Sequence, residues 1–277
     1  MVYSRLIIMK EISSDQLKKL QVEMLKKIHG FCEEKELCYF LAYGTLIGAI
    51  RHKGYIPWDD DIDIMMPRKD YNKFINTFNG FYSELKVFSP ELNIDYYAPY
   101  TNVVNTNTVL VERSTLHRGF EMGVKIDVFP IDTVPQDLEE YNLFSNRLES
   151  FNDILRWKRS RIRFNSYYKS TIILIINKIK YCFVKYRTIQ KEIIKTIDLE
   201  KKSNSVFVDN AVFPVYKKKR FNKDLISSIV KVEFEGETFN APVGYDKILR
   251  IIYGDYMTLP PEEKRIPHHG FTAFWKD

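Results

Sequence analysis

Cysteine is scarce in this 277-residue chain, which has only Cys32, Cys38 and Cys182. Three cysteines give no disulfide framework, which argues against a stapled secreted scaffold and points to a reducing compartment. His29 lies near Cys32 and Cys38, but there is no C-x-x-C pair. Cys32 also falls on the apolar stripe of a predicted helix, so a structural zinc site is set aside. Long apolar runs are missing too: no stretch reaches the roughly 18 uninterrupted apolar residues of a membrane span. Met1 to Met9 lacks the long apolar region and small-residue cleavage site of a secretory signal. The expected location is the cytoplasm. Repeats and low-complexity linkers are absent, and 45% hydrophobic with 28% charged residues is far from the composition of a disordered chain. Acidic residues are missing from one long stretch, since Ile154 to Lys191 holds eleven Lys or Arg and no Asp or Glu. With a formal charge of +6 for the whole chain, the remainder is slightly acidic. The positive field is therefore local, suited to phosphates, nucleic acid or acidic lipid.

The chain does contain mixed helix and strand signals. Ser13-Ser14-Asp15 caps a helix with Leu17, Leu20, Met24, Ile28 and Phe31 at helical spacing. Leu37 to Ala42 reads as a buried strand, and Leu46 to Ile50 as one or two helical turns after Gly44-Thr45. Asp61-Ile62-Asp63-Ile64-Met65 alternates with a strand period, and Pro67 opens a helix over Arg68 to Phe78. Further strands are predicted at Leu85–Phe88, Val103–Val111 and Lys125–Phe129. Gln136 to about Glu200 reads as long helices. Lys231–Phe234 and Thr238–Phe239 form a hairpin around Glu235-Gly236, and Asp246 to Tyr253 is a short helix closed by Gly254. The expected fold is α/β or α+β, a mixed sheet flanked by helices. It is read as one domain over 1–277: a core over 1–135, a helical insertion over 136–204, and a part over 205–277 returning to the core.

Four aspartates fall within Asp59-Asp60-Asp61-Ile62-Asp63. Neighbouring carboxylates oppose each other's ionisation unless a cation neutralises them, and oxygen-rich sets of this kind suit hard divalent ions. The spacing Asp59-x-Asp61-x-Asp63, with Asp70 further on, imitates a calcium loop. The hinge position, however, holds Ile64 where that loop needs Gly. A fuller constellation adds Gly44-Thr45, whose helix-opening turn offers backbone N–H groups and a hydroxyl to a phosphate. It also adds Asp127, a carboxylate among the apolar neighbours Ile126 and Val128, where burial of an unpaired charge is costly.

A Gly-Thr turn, a D-x-D strand and a third strand carboxylate resemble the active-site set of the nucleotidyltransferase superfamily. The longer stretch from Ala42-Tyr43-Gly44-Thr45 through Tyr55-Ile56-Pro57-Trp58-Asp59-Asp60-Asp61-Ile62-Asp63 resembles the LicD family of phosphotransferases more specifically. Lys125-Ile126-Asp127-Val128-Phe129-Pro130-Ile131-Asp132 and the later Tyr253-Gly254-Asp255-Tyr256 and Leu259-Pro260-Pro261-Glu262-Glu263-Lys264-Arg265 fit the same pattern. Nothing in Glu139 to Ser205 does.

The resemblance implies transfer of a phosphorylated alcohol, such as phosphocholine, from a CDP-linked donor to a hydroxyl of a glycan or lipid-linked glycan, with release of CMP. It implies that Asp61, Asp63 and Asp127 hold Mg²⁺, with Mn²⁺ as the alternative, and that Asp127 either completes the metal set or accepts a proton. Asp59 has the strand parity to help. Gly44 and Thr45 are expected at the donor phosphates, Arg51, His52 and Lys53 at a phosphate or glycan hydroxyl, and Trp58 against a base or sugar. His268 and His269 are further candidates, His269 as a substrate contact. Two other functions stay open: a nucleotidyltransferase using NTPs on RNA, an antibiotic or a protein, and a non-catalytic glycan- or calcium-binding module. No nucleic acid is expected as partner. Residues 160–191 carry Ile172, Ile175, Ile176, Ile179, Phe183 and Tyr186 at helical spacing among lysines. Such a helix either lies on an anionic membrane at its inner face or turns its apolar side to the core.

Overall fold

The computed structural model describes residues 9–112, 115–116, 120–162, 168–200, 204–213, 219–266 and 270–276. Helix α1 (Ser14–Glu34) starts at Ser13, whose hydroxyl accepts from the Gln16 amide while the Gln16 side chain accepts from the Ser13 amide, a reciprocal capping box. Its stripe of Leu17, Met24, Leu25, Ile28 and Phe31 is buried in the main core.

A mixed sheet carries the site. Its central path runs β1 (Phe40–Leu41), β2 (Asp63–Pro67), β6 (Lys125–Thr133), β4 (Thr101–Asn105) and β3 (Leu85–Phe88). The far end of β6 pairs with β7 (Phe207–Asp209), which pairs with β8 (Phe221–Asn222). Among the described residues β2 and β6 form the parallel pair, and the other neighbours are antiparallel. Helices α2 (Tyr43–His52) and α3 (Arg68–Thr77) flank β2 in sequence. Arg68, at the first turn of α3, holds the buried Asp132 of β6 through two bonds of 2.7 and 2.6 Å and reaches Glu91 at 3.1 Å. This bidentate pair fastens α3 to the sheet and gives Asp132 a structural partner.

Three expectations shift. The strand expected over Val103–Val111 is two strands, β4 and β5 (Thr108–Glu112), because Asn105, Thr106 and Asn107 turn the chain, with the Asn107 amide bonded to the Asn105 side chain at 3.0 Å. β5 leaves the main sheet and pairs with β11 (Phe271–Trp275). The strand expected from Leu37 shrinks to Phe40–Leu41, and the short turn expected at Leu46–Ile50 is the ten-residue α2. Ile64 is fully buried within β2, as a strand requires and a calcium-loop hinge would not allow.

Helices α4 (Leu138–Arg159), α5 (Tyr168–Lys180) and α6 (Tyr186–Glu200) occupy the stretch 136–204. Asp137 caps α4 by accepting from the Glu139 and Glu140 amides, and Tyr141, Leu148 and Leu155 meet Ile189, Ile193 and Ile197 in a separate apolar cluster. The hairpin of β9 (Ile229–Phe234) and β10 (Glu237–Pro242) and helix α7 (Tyr245–Tyr253) follow. Among the described residues no helix is long and apolar enough to cross a membrane.

Candidate active site

Parallel pairing sets Asp63 of β2 opposite Asp127 of β6, and antiparallel pairing sets Asn102 of β4 opposite the same Asp127. Facing positions on neighbouring strands share a side of the sheet, so the three side chains form a row across it. The Asp127 amide donates to the Ile62 carbonyl at 3.0 Å, the Asp63 carbonyl accepts from the Ala42 amide at 2.9 Å, and the Asp63 amide donates to the Thr45 hydroxyl at 2.9 Å. Both carboxylates thus stand on backbone held at both ends.

Above this row opens a cavity of about 590 Å³ bordered by Gly44, Asp59, Asp61, Asp63, Lys125 and Asp127. Asp61 lies two residues ahead of β2, in the loop rather than on the strand. One oxygen from each of Asp59, Asp60 and Asp61 comes within 4.8 Å of the others. Burial pushes the Asp63 carboxyl well above the usual carboxylate range, and the nearby charges of Asp61 and Asp127 push it further. The cluster is short of positive charge. Lys125 supplies some, its ammonium lying 2.6 and 2.8 Å from the two Asp127 oxygens. Burial alone would lower the Lys125 pKa, but Asp127, Tyr100, Glu112 and Tyr97 together lift it well above the ordinary lysine value. Asn102 also donates to Asp127 through its amide nitrogen.

The entry to α2 is shaped to meet this cluster. Tyr43 has φ of 45°, a left-handed conformation uncommon for a bulky residue and of the kind found where the surroundings enforce it. Gly44 follows, and a Cβ there would lie 2.5 Å from an Asp59 oxygen. The helix has no side-chain cap, so its positive end faces the cavity through Gly44.

The other expected residues divide. Trp58 borders the cavity, with the Arg265 guanidinium 5.8 Å from its ring. Thr45 is buried and spends its hydroxyl on Asp63. Arg51, His52 and Lys53 do not border the cavity. Arg51 donates to His52 at 2.9 Å and to the Tyr256 carbonyl, and burial with the Arg51 charge lowers the His52 pKa. His268 and His269 lie outside the described residues, next in sequence to Gly270 and Phe271, which border the cavity. His29 meets Tyr39 at 2.8 Å, and the Cys32 thiol is buried with its pKa raised, so neither shows a metal-ligand setting.

Several site residues escaped the sequence reading. Lys125 shares a face of β6 with Asp127 two positions on, a parity that could have flagged it. Tyr100, Phe129 and Phe213 build an aromatic wall, with ring centroids 4.6 Å apart for Tyr100 and Phe129 and 5.2 Å for Tyr100 and Phe213. Arg159, the last residue of α4, reaches the same cavity.

Residues 36–150 match the LicD/FKTN/FKRP nucleotidyltransferase domain. Lipopolysaccharide cholinephosphotransferase LicD of Haemophilus influenzae is 29% identical over 285 residues, spanning 96% of this chain and 99% of that protein. Shorter likenesses reach an uncharacterised protein of Rickettsia prowazekii, 34% identical over 68 residues that span 21% of this chain and 26% of its own length. Another, of Rickettsia typhi, is 40% identical over 48 residues, 17% of this chain and 16% of its own. The domain match contains Gly44, the acidic run and Asp127, so residues 36–150 are a nucleotidyltransferase domain of the LicD family.

Proposed function

We propose that this chain transfers phosphocholine, or a similar phosphorylated alcohol, from a CDP-linked donor to a hydroxyl of a lipopolysaccharide or another cell-surface glycan or its lipid-linked precursor, releasing CMP. The carrying observation is the convergence of Asp59, Asp61, Asp63 and Asp127 on one cavity. The near full-length likeness to a cholinephosphotransferase supports the choice of group.

The acceptor oxygen attacks the phosphorus bearing the alcohol, the bond from that phosphorus to the bridging oxygen breaks, and CMP leaves with that oxygen. The acceptor's proton passes to a carboxylate of the cluster, with Asp127 the candidate. Such transfer rests on positioning and charge neutralisation more than on covalent chemistry by the protein. The donor set is all carboxylate oxygen and short of positive charge, which fits a hard divalent cation. Mg²⁺, or Mn²⁺ in its place, held by Asp61, Asp63 and Asp127 would neutralise the diphosphate and the leaving phosphate.

The chain's own groups complete the reading. Lys125 sets an ammonium beside Asp127, and Arg159 brings a guanidinium to the same cavity, both available to phosphate oxygens. The faces of Tyr100, Phe129 and Phe213 suit a quaternary ammonium by cation–π attraction, and equally a stacked cytosine. Gly44 keeps the helix entry narrow enough for Asp59 to approach. The unpaired Cys32, Cys38 and Cys182 support a reducing, cytoplasmic setting, at the inner membrane face if the acceptor is lipid-linked.

The test is a panel of CDP-alcohols and NTPs offered with lipopolysaccharide acceptor, following CMP and pyrophosphate with and without Mg²⁺. CMP release that needs Mg²⁺ and is fastest with CDP-choline is the expected result. Pyrophosphate from an NTP, with no CMP from any CDP-alcohol, would overturn the proposal in favour of nucleotidyl transfer.

A further inference from the structure

Helix α5 shows an apolar face that the fold leaves uncovered. Ile172, Ile173, Ile176 and Ile179 are 50, 56, 57 and 68% exposed, and Phe183, in the turn beyond, is 95% exposed. At 100° per residue, Ile172, Ile176 and Ile179 lie within about 60° of one another around the helix, with Ile173 beside them. The opposite side of α5 is the one held by the protein. Thr171 is buried, Lys178 donates to the Lys158 carbonyl at 3.0 Å, and Lys158 donates to the Tyr181 carbonyl at 2.9 Å. Trp157 stacks on Tyr181 with centroids 5.7 Å apart. The helix is therefore docked on α4 with Ile172, Ile173, Ile176 and Ile179 pointing away.

The charge around this face selects its occupant. The stretch from Ile154 to Lys191 holds eleven basic and no acidic residues, and Lys180 and Lys185 are exposed close to Ile179 and Phe183. A second copy of the chain pressed against the same face would bring like charges together. An anionic bilayer supplies both complements, hydrocarbon for the isoleucines and negative headgroups for the lysines. Thirteen residues make a helix about 20 Å long, too short to cross a bilayer but of a length to lie in its interface.

We propose that the exposed isoleucine face of α5, with Phe183, Lys180 and Lys185, docks this protein on a membrane surface carrying anionic lipid. The contact would bear directly on the active site. The Lys158 that ties α5 to α4 is adjacent to Arg159 at the catalytic cavity. Docking through α5 then holds the cavity close to the lipid surface, where a lipid-linked acceptor would present its hydroxyl. The surface stands independently of which group the enzyme transfers.

The experiment is cosedimentation of the full chain with sucrose-loaded vesicles of phosphatidylcholine alone and of three parts phosphatidylcholine to one part phosphatidylglycerol, without substrate. Wild-type protein is expected to bind the anionic vesicles at least tenfold more tightly, and less so at high salt. Ile176→Glu/Ile179→Glu is expected to lose at least tenfold of that binding, while its melting temperature and CMP release with a soluble acceptor stay those of wild type. Lys180→Glu/Lys185→Glu is expected to lose the preference for anionic vesicles. Wild type that ignores both vesicles, or a glutamate variant that binds as wild type does, would refute the proposal. Self-association of wild type in sedimentation velocity that Ile176→Glu/Ile179→Glu abolishes would reassign the face to a second copy and refute it too. Vesicle binding is read without turnover, so its failure leaves the transfer reading standing, and failure of transfer leaves the surface standing.

Discussion

Asp63 and Asp127 face each other in the parallel register of β2 and β6, two acidic side chains on one side of one sheet. Such a pair opposes its own ionisation, and burial adds to the cost. Because the folded state raises the Asp63 pKa, its stabilising contribution is present at low pH and lost as pH rises above the ordinary carboxylate value. Ionisation of Asp63 is therefore disfavoured in the folded protein without a cation. Asp63→Asn is expected to raise stability in EDTA by on the order of 1 kcal/mol and to lower CMP release by about 10²-fold or more. Thermal melts in EDTA beside initial rates check both halves. A variant that melts below wild type would show that the two aspartates do not repel.

Lys125 is the counterpart of that strain. Its ammonium meets both Asp127 oxygens, and removing one partner of a buried pair leaves the other charge uncompensated. Lys125→Met is expected to cost about 3–5 kcal/mol in EDTA. Divalent cation should then recover more of the melting temperature in the variant than it adds to wild type, because the cation takes over a charge that Lys125 otherwise neutralises. Equal Mg²⁺ increments in the two proteins would mean that lysine and metal do not share the Asp127 charge.

Gly44 is required by approach rather than by φ. A methyl group at Gly44 would sit 2.5 Å from an Asp59 oxygen, so Gly44→Ala must move the carboxylate or the first turn of α2. The main core is untouched, and the stability loss is expected to stay near 1 kcal/mol. The rate is expected to fall by about 10²-fold, since displacement of a positioning group by an ångström is enough for that. Kinetics on a variant with an unchanged circular dichroism spectrum settle it: a near wild-type rate would remove Asp59 from the site.

The legible parts of this molecule were those written in local periodicity. The apolar neighbours of Asp127 and the Ser13 cap are each complete within a few residues, and each survives in the structure, whereas the strand expected from Asp61 begins only at Asp63. What was not legible depends on the way distant segments meet. Asp63 and Asp127 are brought into register by a parallel pairing that follows α3, β3, β4 and β5 in the chain, and nothing in either strand announces its partner. Arg159 reaches the cavity from the end of a helix in which no motif was recognised. The Thr45 hydroxyl, expected at a phosphate, is instead tied to the Asp63 amide, a contact that depends on the angle between α2 and β2.

Asp209, at the end of β7, offers a test of pH dependence away from the cavity. Its carboxylate accepts from the Tyr141 hydroxyl at 2.6 Å and from the Asn210 amide at 2.8 Å, yet burial pushes its pKa up to about 6 from an ordinary value of 3.8. A raised carboxylate favours folding while it is protonated. Its contribution is complete below pH 3.8 and is lost as the pH rises through about 6. The penalty at neutral pH is at most about 3 kcal/mol. Asp209→Asn keeps an acceptor for Tyr141 and cannot ionise. Its stability relative to wild type is expected to improve steadily between pH 4 and pH 7 and to level off beyond, in urea melts across that range. A stability difference that stays constant from pH 4 to pH 8 would mean that the Asp209 carboxyl titrates as it does in the unfolded chain.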